Sequence, residues 1–510
     1  MSKIVGMRRY GFLASSIGVT CATALALAPG LPAAAAPARP AAAGRPPGAA
    51  PEAVPGSTQS LPLVPLAGST SRARTFGGAP QQGLRRAHVR HFSLLGVVWD
   101  DPAAALRGSV QVRTRSAADG NWSPWQDVET HNADHGADPG TAERAGGHVR
   151  GATAPLWVGD SDGVDVRVRA GAGSGDEAGA GAGSGAGTEA GAGGRGSGGT
   201  ARGALPAGLR LELVDPGDPP QTKGAAVTEG TEETKDTEDT EDTEGTGDPG
   251  ADQSRTGELS EAASTASAAN AALAPLDATE IPALSGADTE RELIELRGDE
   301  LTAAQRVKPH IGARPRIVTR RGWGADESLR HGKFVYTKKD KVAFVHHTAT
   351  GNGYRCAQTP AVIRGIYRYH VNSMGWRDIG YNFLVDKCGT IYEGRAGGVA
   401  KPVLGAHTMG FNSDSVGIAV IGTYSKSKPS SAAVKAVARL TAWKLGLYGM
   451  NPRGKTYLKS AGGNLYQKGK NVRLNVISGH RDGFATDCPG RKLYGKLGTI
   501  RSTAARYQGR

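Results

Sequence analysis

The chain has 510 residues, of which 75 are Gly and 29 are Pro, while hydrophobic residues make up 38% and aromatic residues 5%. This composition excludes a single compact body, because long segments lack the apolar side chains that a core requires. The formal net charge is +13, yet residues 301–510 contain 36 Lys and Arg against 9 Asp and Glu, whereas 229–252 is strongly acidic. The basic C-terminal part is therefore expected to face a polyanion, either nucleic acid or an anionic cell wall.

Residues 1–36 have the pattern of a signal peptide. Lys3, Arg8 and Arg9 precede an apolar stretch at 12–27, and small residues that suit a cleavage site follow it. The two arginines also resemble a twin-arginine signal with imperfect spacing, and an uncleaved membrane anchor is the alternative. We therefore expect an exported protein.

Apolar and polar residues that alternate with a period of two indicate a β-rich unit at 91–215. Apolar and polar residues alternate at 110–112, 164–168 and 209–213, with turn signals between these runs. Half-buried strands of this kind predict a small β-sandwich. A Gly/Ala-rich insertion at 170–204 cannot bury itself and is predicted to be a disordered loop.

The segments on either side of this unit are predicted to be disordered. Residues 37–90 are rich in Ala, Pro, Gly and Arg without any period, which is typical of a spacer. Residues 216–310 are expected to be an acidic linker. A short helix is predicted within it near 287–305, where Leu293 and Leu296 recur at helical spacing.

Residues 311–500 are predicted to be a second folded unit, long enough for a core of its own. Apolar strand-like runs alternate there with amphipathic helical patterns. This interleaving predicts an α/β layer structure, with a mixed β-sheet flanked by helices. The strand runs lie at 342–345, 378–385 and 415–422, and the helical patterns lie at 360–371 and 430–446.

Two histidines and a cysteine in this unit are candidate metal ligands. His346 directly follows a strand run, where rigid backbone would hold its ring. His480 and Cys488 lie eight residues apart across a loop that contains Gly. Two imidazoles and a thiol suit a catalytic zinc ion, which has three protein ligands and an open fourth position. The spacing alone fits a buried free thiol and ordinary histidines equally well.

Several motifs follow one another in a characteristic order between 315 and 495. They are His346-His347-Thr348, the stretch from Gly375 to Phe383, Tyr392-Glu-Gly-Arg395, Gly405-Ala-His407 with Gly410-Phe-Asn412, and Gly479-His480 with Cys488-Pro-Gly490. In this order they resemble the peptidoglycan recognition protein family. Its zinc-dependent members are N-acetylmuramoyl-L-alanine amidases related to the phage-type amidases.

The resemblance implies a role for each candidate. His346, His480 and Cys488 would bind Zn²⁺. Tyr381 matches a tyrosine that hydrogen-bonds the reacting water or the scissile carbonyl, and Thr486 matches a position that helps to stabilise a tetrahedral oxyanion.

Four further residues carry expectations of their own. His407 and Asn412 resemble substrate-groove residues, although a structural role is an equal alternative for both. Cys356 and Cys388, 32 residues apart, are expected to form a disulfide in an exported protein. This pairing rests on counting cysteines, because its spacing differs from that of animal family members.

The resemblance implies a secreted, cell-wall-associated zinc amidohydrolase. It would hydrolyse the amide between N-acetylmuramic acid and the L-Ala of peptidoglycan stem peptides. Peptidoglycan is the expected partner, anionic wall polymers are further candidates, and a monomer is expected. The alternative is a module that binds peptidoglycan without cutting it, but non-catalytic members typically lose the thiolate ligand, and Cys488 is present. No nucleic-acid partner is expected, because only charge suggests one.

Overall fold

The computed structural model describes residues 56–66, 81–130, 134–146, 148–171, 204–218 and 259–510. The signal-peptide pattern, most of the Gly/Ala-rich insertion and the acidic run at 229–252 lie outside these residues, so the expectations for them stay predictions. Within the described ranges, no helix is both long and apolar enough to cross a bilayer.

The N-terminal part is an antiparallel β structure. Its described strands are β1 (Ser57–Pro62), β2 (Val64–Pro65), β3 (Gln81–Arg86), β4 (Phe92–Trp99), β5 (Gly108–Ser116), β6 (Gln126–Val128), β7 (Gly151–Ala152), β8 (Leu156–Ala170) and β9 (Arg210–Asp215). They pair in the order β1-β9-β4-β8-β3-β2, while β5 joins β8 and β6, and β7 joins β4.

The long strand β8 links the two halves of this structure. Its first residues pair with β4, and from Ser161 onward it pairs with β5 and then β3. Leu95 and Val97 of β4 share one buried core with Val110 of β5 and the alternating valines of β8. The two halves therefore enclose a common core, and the predicted β-sandwich is confirmed.

The predicted spacer at 37–90 is wrong where the structure describes it. Strands β1, β2 and β3 lie in this segment, and β1 pairs with β9 without interruption from Ser57 to Pro62. The sequence of β1 is mostly polar, and all six of its residues are half-buried or exposed. An edge strand of this kind is held by backbone hydrogen bonds, so it needs no apolar alternation that a sequence pattern could reveal.

The C-terminal part contains a seven-stranded mixed sheet. Its strands are β10 (Glu280–Ile281), β11 (Ile317–Val318), β12 (Val342–His347), β13 (Phe383–Val385), β14 (Ile391–Glu393), β15 (Ser415–Val420) and β18 (Ile477–Gly479), while β16 (Lys455–Lys459) and β17 (Asn471–Asn475) form a separate hairpin. The sheet order is β10-β11-β14-β13-β15-β12-β18. Strand β12 is parallel to both β15 and β18, whereas β13 and β14 are antiparallel.

Helices cover both faces of this sheet, so the predicted α/β layer structure is confirmed. Strand β15 shows the layering: Ile418 packs in the core with α6 and α8, whereas Ala419 packs in the core with α5. The described helices are α1 (Ala142–Ala145), α2 (Glu261–Ala268), α3 (Gly286–Arg297), α4 (Ala303–Val307), α5 (Thr359–Arg368), α6 (Ser431–Gly446), α7 (Arg491–Tyr494) and α8 (Leu497–Tyr507).

The predicted linker at 216–310 is wrong for its second half. Helices α2 to α4 and strand β10 lie there, and the predicted helix near 287–305 is present as α3. Ile281 and Leu293 are buried in the same core as α6. Most apolar residues in this half are alanines, and an average over the composition does not reveal that larger ones such as Ile281 and Leu293 are buried.

The N-terminal sandwich packs against helix α5. In β4, side chains alternate between two cores: Leu95 and Val97 face the sandwich interior, whereas Leu94 and Val98 join the core that contains Ile366 of α5. The described residues from Gly56 to Arg510 belong to one compact unit. Because side chains alternate in direction along β4, this strand packs both into the sandwich core and against the α/β part.

Polar contacts reinforce this interface. The Tyr369 hydroxyl donates to the carbonyl oxygen of Thr153 at 3.1 Å, and the Ser373 hydroxyl donates to Glu212 at 3.0 Å. All four residues are buried. The interface fixes the connection between β6 and β7 beside the C-terminal sheet.

We expect Leu94→Ala to lower the free energy of unfolding by about 2–5 kcal/mol, because it removes a fully buried side chain from the interface with α5. Urea unfolding measures the change. Val64→Ala is the control, since Val64 is 51% exposed and should change stability by less than about 0.5 kcal/mol. Equal stability of the two variants would contradict the packing of the sandwich on α5.

Candidate metal centre

Parallel strand pairing brings His346 and His480 together. His346 lies at the end of β12, and His480 is the first residue after β18, which pairs with β12 in parallel. The carboxyl ends of parallel neighbours lie at the same edge of a sheet. The two imidazole rings consequently lie 4.5 Å apart between centroids, and both residues are fully buried.

The chain turns back after His480 and brings Cys488 to the same edge of the sheet. Its sulfur lies 3.8 Å from Nδ1 of His346, and it accepts a hydrogen bond from the backbone N–H of His347 at 3.4 Å. The loop that carries it is closed by the Thr486 hydroxyl, which accepts from the Cys488 N–H at 3.2 Å. Among the described residues, Cys488 is the one cysteine outside a disulfide, and it is buried.

His347 faces away from this cluster because side chains alternate along β12. Phe344, two residues before His346, packs in the core with Phe411, whereas Val345 packs in the core with α6. His347 lies on the side of Val345, and its Nδ1 accepts a hydrogen bond from the N–H of Tyr424 at 3.2 Å. The two adjacent histidines thus lie on opposite sides of the strand.

A fourth donor, His135, comes from the N-terminal sandwich. It lies in the connection between β6 and β7, and its ring centroid is 4.6 Å from that of His480 and 5.4 Å from that of His346. One ligand atom from each of His135, His346, His480 and Cys488 lies within 4.8 Å of the others. All four side chains are buried.

The donor set fits a zinc ion. In the described part of the chain, Nε2 of His135 and both ring nitrogens of His480 are buried without a hydrogen-bond partner, which is costly unless another group satisfies them. Burial lowers the pKa of His480 to about 3 and that of His346 well below its usual value. Both rings are therefore neutral, the form in which a ring nitrogen binds a metal.

Burial raises the pKa of the Cys488 thiol, and the nearby Asp134 raises it further. A bound divalent cation reverses this tendency, because a coordinating thiol is deprotonated outright. Two or three neutral imidazoles with one thiolate form a ligand set typical of protein zinc sites.

Asp134 supports the cluster from the side of the sandwich. Its Oδ1 lies 3.1 Å from Nδ1 of His135, and its Oδ2 lies 3.7 Å from Nδ1 of His480. Burial favours the neutral acid, but the two histidines and a hydrogen bond from Thr486 outweigh burial and lower the pKa of Asp134. A carboxylate is thus held between two candidate ligands, as is common around metal-binding histidines.

Tyr381 and Thr486 both lie beside the cluster. The Tyr381 ring is 5.6 Å from that of His346 and 5.7 Å from that of His135. Burial raises the pKa of Tyr381 well above its usual value, so its phenol is a hydrogen-bond donor at neutral pH. Thr486 is half-buried and close enough to hydrogen-bond Asp134.

His407 and Asn412, predicted as groove residues, are both buried. The His407 ring lies 5.2 Å from that of His346. The side-chain oxygen of Asn412 accepts from the N–H of His407 at 2.7 Å, and its amide donates to the carbonyl oxygen of Gly136 at 2.9 Å. A segment of the sandwich therefore covers this part of the predicted groove.

The disulfide between Cys356 and Cys388 is present, with the two Cα atoms 6.3 Å apart. It connects the turn before α5 to the turn between β13 and β14. It therefore joins α5 to the sheet on which the cluster is built, and it leaves Cys488 as the thiol available to a metal.

Sequence reasoning missed Asp134 and His135. They lie outside the motifs of the α/β part, and 211 residues separate His135 from His346. The signal that could have found them is local: the stretch from Thr130 to Asp138 carries two histidines and two aspartates without any apolar period. Such a stretch inside a β-sandwich is a candidate ligand loop, but its target cannot be derived from local sequence.

Comparison with known proteins assigns the two parts. Residues 337–491 match the profile described as N-acetylmuramoyl-L-alanine amidase. Residues 45–190 match the profile described as Rv3811 N-terminal galactose-binding domain-like.

Among curated proteins, peptidoglycan-recognition protein SC2 of Drosophila simulans is 31% identical over 186 residues, which span 36% of this chain and 85% of the relative. The N-acetylmuramoyl-L-alanine amidase of Homo sapiens is 32% identical over 196 residues, but these span only 28% of that protein. A solved structure titled peptidoglycan recognition protein-LE in complex with tracheal cytotoxin is 30% identical, with 36% of this chain and 92% of that chain covered and a TM-score of 0.28.

The mixed α/β sheet with helices on both faces agrees with the fold that the sequence predicted. With the sequence match over most of a relative, the chain belongs to the family of peptidoglycan-recognition proteins and N-acetylmuramoyl-L-alanine amidases.

We expect His346→Ala to abolish retention of zinc and His347→Ala to preserve about one zinc ion per chain, because only His346 faces the cluster. His347→Ala should still lower stability by about 1–3 kcal/mol, since it leaves the buried Tyr424 N–H unpaired. Elemental analysis after dialysis, with urea unfolding, checks both. Loss of zinc from His347→Ala alone would contradict the assignment.

Proposed function

We propose that the chain is a secreted zinc-dependent N-acetylmuramoyl-L-alanine amidase. It hydrolyses the amide between N-acetylmuramic acid and the L-Ala of peptidoglycan stem peptides. The observation that carries this proposal is the convergence of His346, His480 and Cys488 at one sheet edge, beside Tyr381 and Thr486.

His346, His480 and Cys488 would hold the zinc ion. When bound, the ion supplies Lewis acidity, which lowers the pKa of water and polarises an amide carbonyl. The strand ends of β12 and β18 fix the two imidazoles, so the ligands need no rearrangement when substrate arrives.

Tyr381 acts as a hydrogen-bond donor to the oxygen on which negative charge develops. Its ring lies against His346 at one side and His370 at the other, with centroid distances of 5.6 and 5.8 Å. Its raised pKa keeps the phenol protonated. A donor held in place before the reaction stabilises developing charge more than one that must reorient.

Thr486 supplies a second hydroxyl at the same site. Its position is fixed by the hydrogen bond that its oxygen accepts from the N–H of Cys488. Because the Thr486 oxygen is the acceptor in that bond, its hydroxyl hydrogen can donate toward the substrate.

The alternative is a module that binds peptidoglycan without cleaving it. Cys488 argues against it, because a buried thiol among imidazoles is not needed for recognition of a glycan or peptide, whereas it completes a ligand set. Family membership supports either activity, and the ligand set favours the amidase.

Export and wall association follow from the sequence. The signal-peptide pattern at 1–36 supports secretion, and the excess of Lys and Arg in 301–510 supports attraction to anionic wall polymers. Such attraction weakens as salt is added. Neither feature requires a nucleic-acid partner.

The direct test is mass spectrometry of purified peptidoglycan incubated with the full chain. We expect release of stem peptides with a free L-Ala amine, loss of this product with a chelator, and its recovery when zinc is added. Cys488→Ser should abolish product formation. Binding to peptidoglycan without product, in every condition and equally for Cys488→Ser, would favour the recognition module.

Tyr381→Phe should lower kcat about 10²-fold or more, because it removes one donor to the developing oxyanion. Tyr448→Phe is the matched control: it also removes a buried hydroxyl, which donates to Ala400 in the core on the α6 side. Steady-state rates of stem-peptide release, with zinc content measured for both variants, check the expectation. Equal rates for both variants would show that Tyr381 has no part in the reaction.

A further inference from the structure

We propose that His135 is a fourth protein ligand of the metal centre and that residues 134–146, here termed the plug segment, close the site until they are displaced. The inference rests on the proposed function of the same site. It concerns a segment of the N-terminal sandwich, outside the part of the chain that carries the amidase motifs.

The cluster offers four donor atoms to a metal ion. A catalytic zinc site has three protein ligands and an open position, whereas a site with four protein ligands is closed. His135 brings the cluster to four, with all ligand atoms within 4.8 Å of one another. Its ring contacts His480 edge-on at 4.6 Å between centroids, so it lies against the ligands themselves.

The orientation of the His135 ring also supports coordination. Its Nδ1 pairs with Asp134 at 3.1 Å, and its Nε2 is buried without a partner in the described residues. A carboxylate on one ring nitrogen that leaves the other for a metal is the usual arrangement of metal-binding histidines. Asp134 is thus the positioning residue of a ligand rather than a ligand.

The plug segment also lies beside the residues assigned to catalysis. His135 lies edge-on to Tyr381 at 5.7 Å between centroids, and it lines one cavity together with Thr486. The cavity that His135, Thr486 and Cys488 help to line has a volume of about 10 Å³. That is room for about one water molecule and not for a sugar or a peptide.

The plug segment is fixed to the predicted groove by specific hydrogen bonds. Asp138 accepts from the N–H of Gly410 and from the side-chain amide of Asn412, each at 2.7 Å. The N–H of Met409 donates to the carbonyl oxygen of Asp134 at 3.1 Å. The segment thus uses the polar groups of 406–412 that would otherwise face a ligand.

A buried ion pair fixes the far end of the plug segment. The Glu143 carboxylate, in α1, accepts from the two terminal nitrogens of Arg395 at 2.8 and 2.9 Å. It also accepts from the N–H of Arg377 at 3.2 Å. Both charged side chains are at least 90% buried, and a bidentate pair of this kind fixes the geometry of what it joins.

These contacts define two states of the site. With the plug segment in place, the metal would have four protein ligands, Tyr381 and Asn412 are buried, and Thr486 is half-buried. With it displaced, three ligands and an open position remain. The N-terminal sandwich, which packs on α5, holds the segment in the closed state, so whatever acts on the sandwich controls access to the site.

Coordination is tested with cobalt(II) in place of zinc, in the full chain. Azide binds an open coordination position and changes the visible spectrum of the ion. We expect azide to leave the wild-type spectrum unchanged and to shift the spectra of His135→Ala and His135→Phe. The phenylalanine variant keeps a ring in the same space, so it serves if the alanine variant does not fold. His91→Ala, an exposed histidine of the same sandwich, should behave as wild type.

Zinc affinity, measured by competition with a chromophoric chelator, gives a second readout. We expect His135→Ala and His135→Phe to raise the zinc Kd by at least the roughly 10- to 100-fold that loss of an outer-shell partner costs, and His91→Ala to leave it unchanged. A wild-type spectrum that responds to azide as the variants do, or a zinc Kd that His135 substitution does not change, would overturn the coordination proposal.

Closure is tested by stem-peptide release at saturating zinc. We expect His135→Ala to be about tenfold or more faster than wild type, because the closed state no longer competes with substrate. If wild type and His135→Ala are equally active, the proposal that the plug segment closes the site is wrong, whereas the proposed amidase function stands. If the zinc and azide results hold but no variant releases peptide, coordination stands and the amidase function fails.

Discussion

The parallel pairing of β12 with β18 is the constraint on which the candidate metal centre depends. It places the carboxyl ends of two strands side by side, so that His346 and His480 meet although 134 residues separate them. Because side chains alternate along β12, His346 faces this site and His347 faces away from it. Cys488 needs only the short return from His480. A rigid sheet edge thus positions three donors, while the hydrophobic cores on the two faces keep that edge in place.

The N-terminal sandwich also contributes residues to this candidate site. Strand β4 divides its side chains between the sandwich core and the core shared with α5, so that the sandwich and the α/β part pack as one body. That packing places Asp134 and His135 beside His480. A domain outside the amidase motifs therefore places a further candidate donor beside the site.

The sequence predicted much of the α/β part and less of what surrounds it. The strand before His346 and the helix at 431–446 were evident because their apolar periods are strong. The polar edge strand at 57–62 was missed because its stability comes from backbone pairing with β9, and helices α2 and α4 were missed because they contain almost no large apolar residue. His135 was missed because its role depends on a contact between two separately recognisable parts of the chain.

The most direct test of this account is X-ray absorption spectroscopy of the zinc-loaded full chain. The account predicts a zinc ion bound by one sulfur and by imidazole nitrogens, with the His135→Ala variant losing one imidazole and gaining an oxygen. A zinc environment without sulfur, or one that is identical in the wild-type chain and His135→Ala, would contradict it.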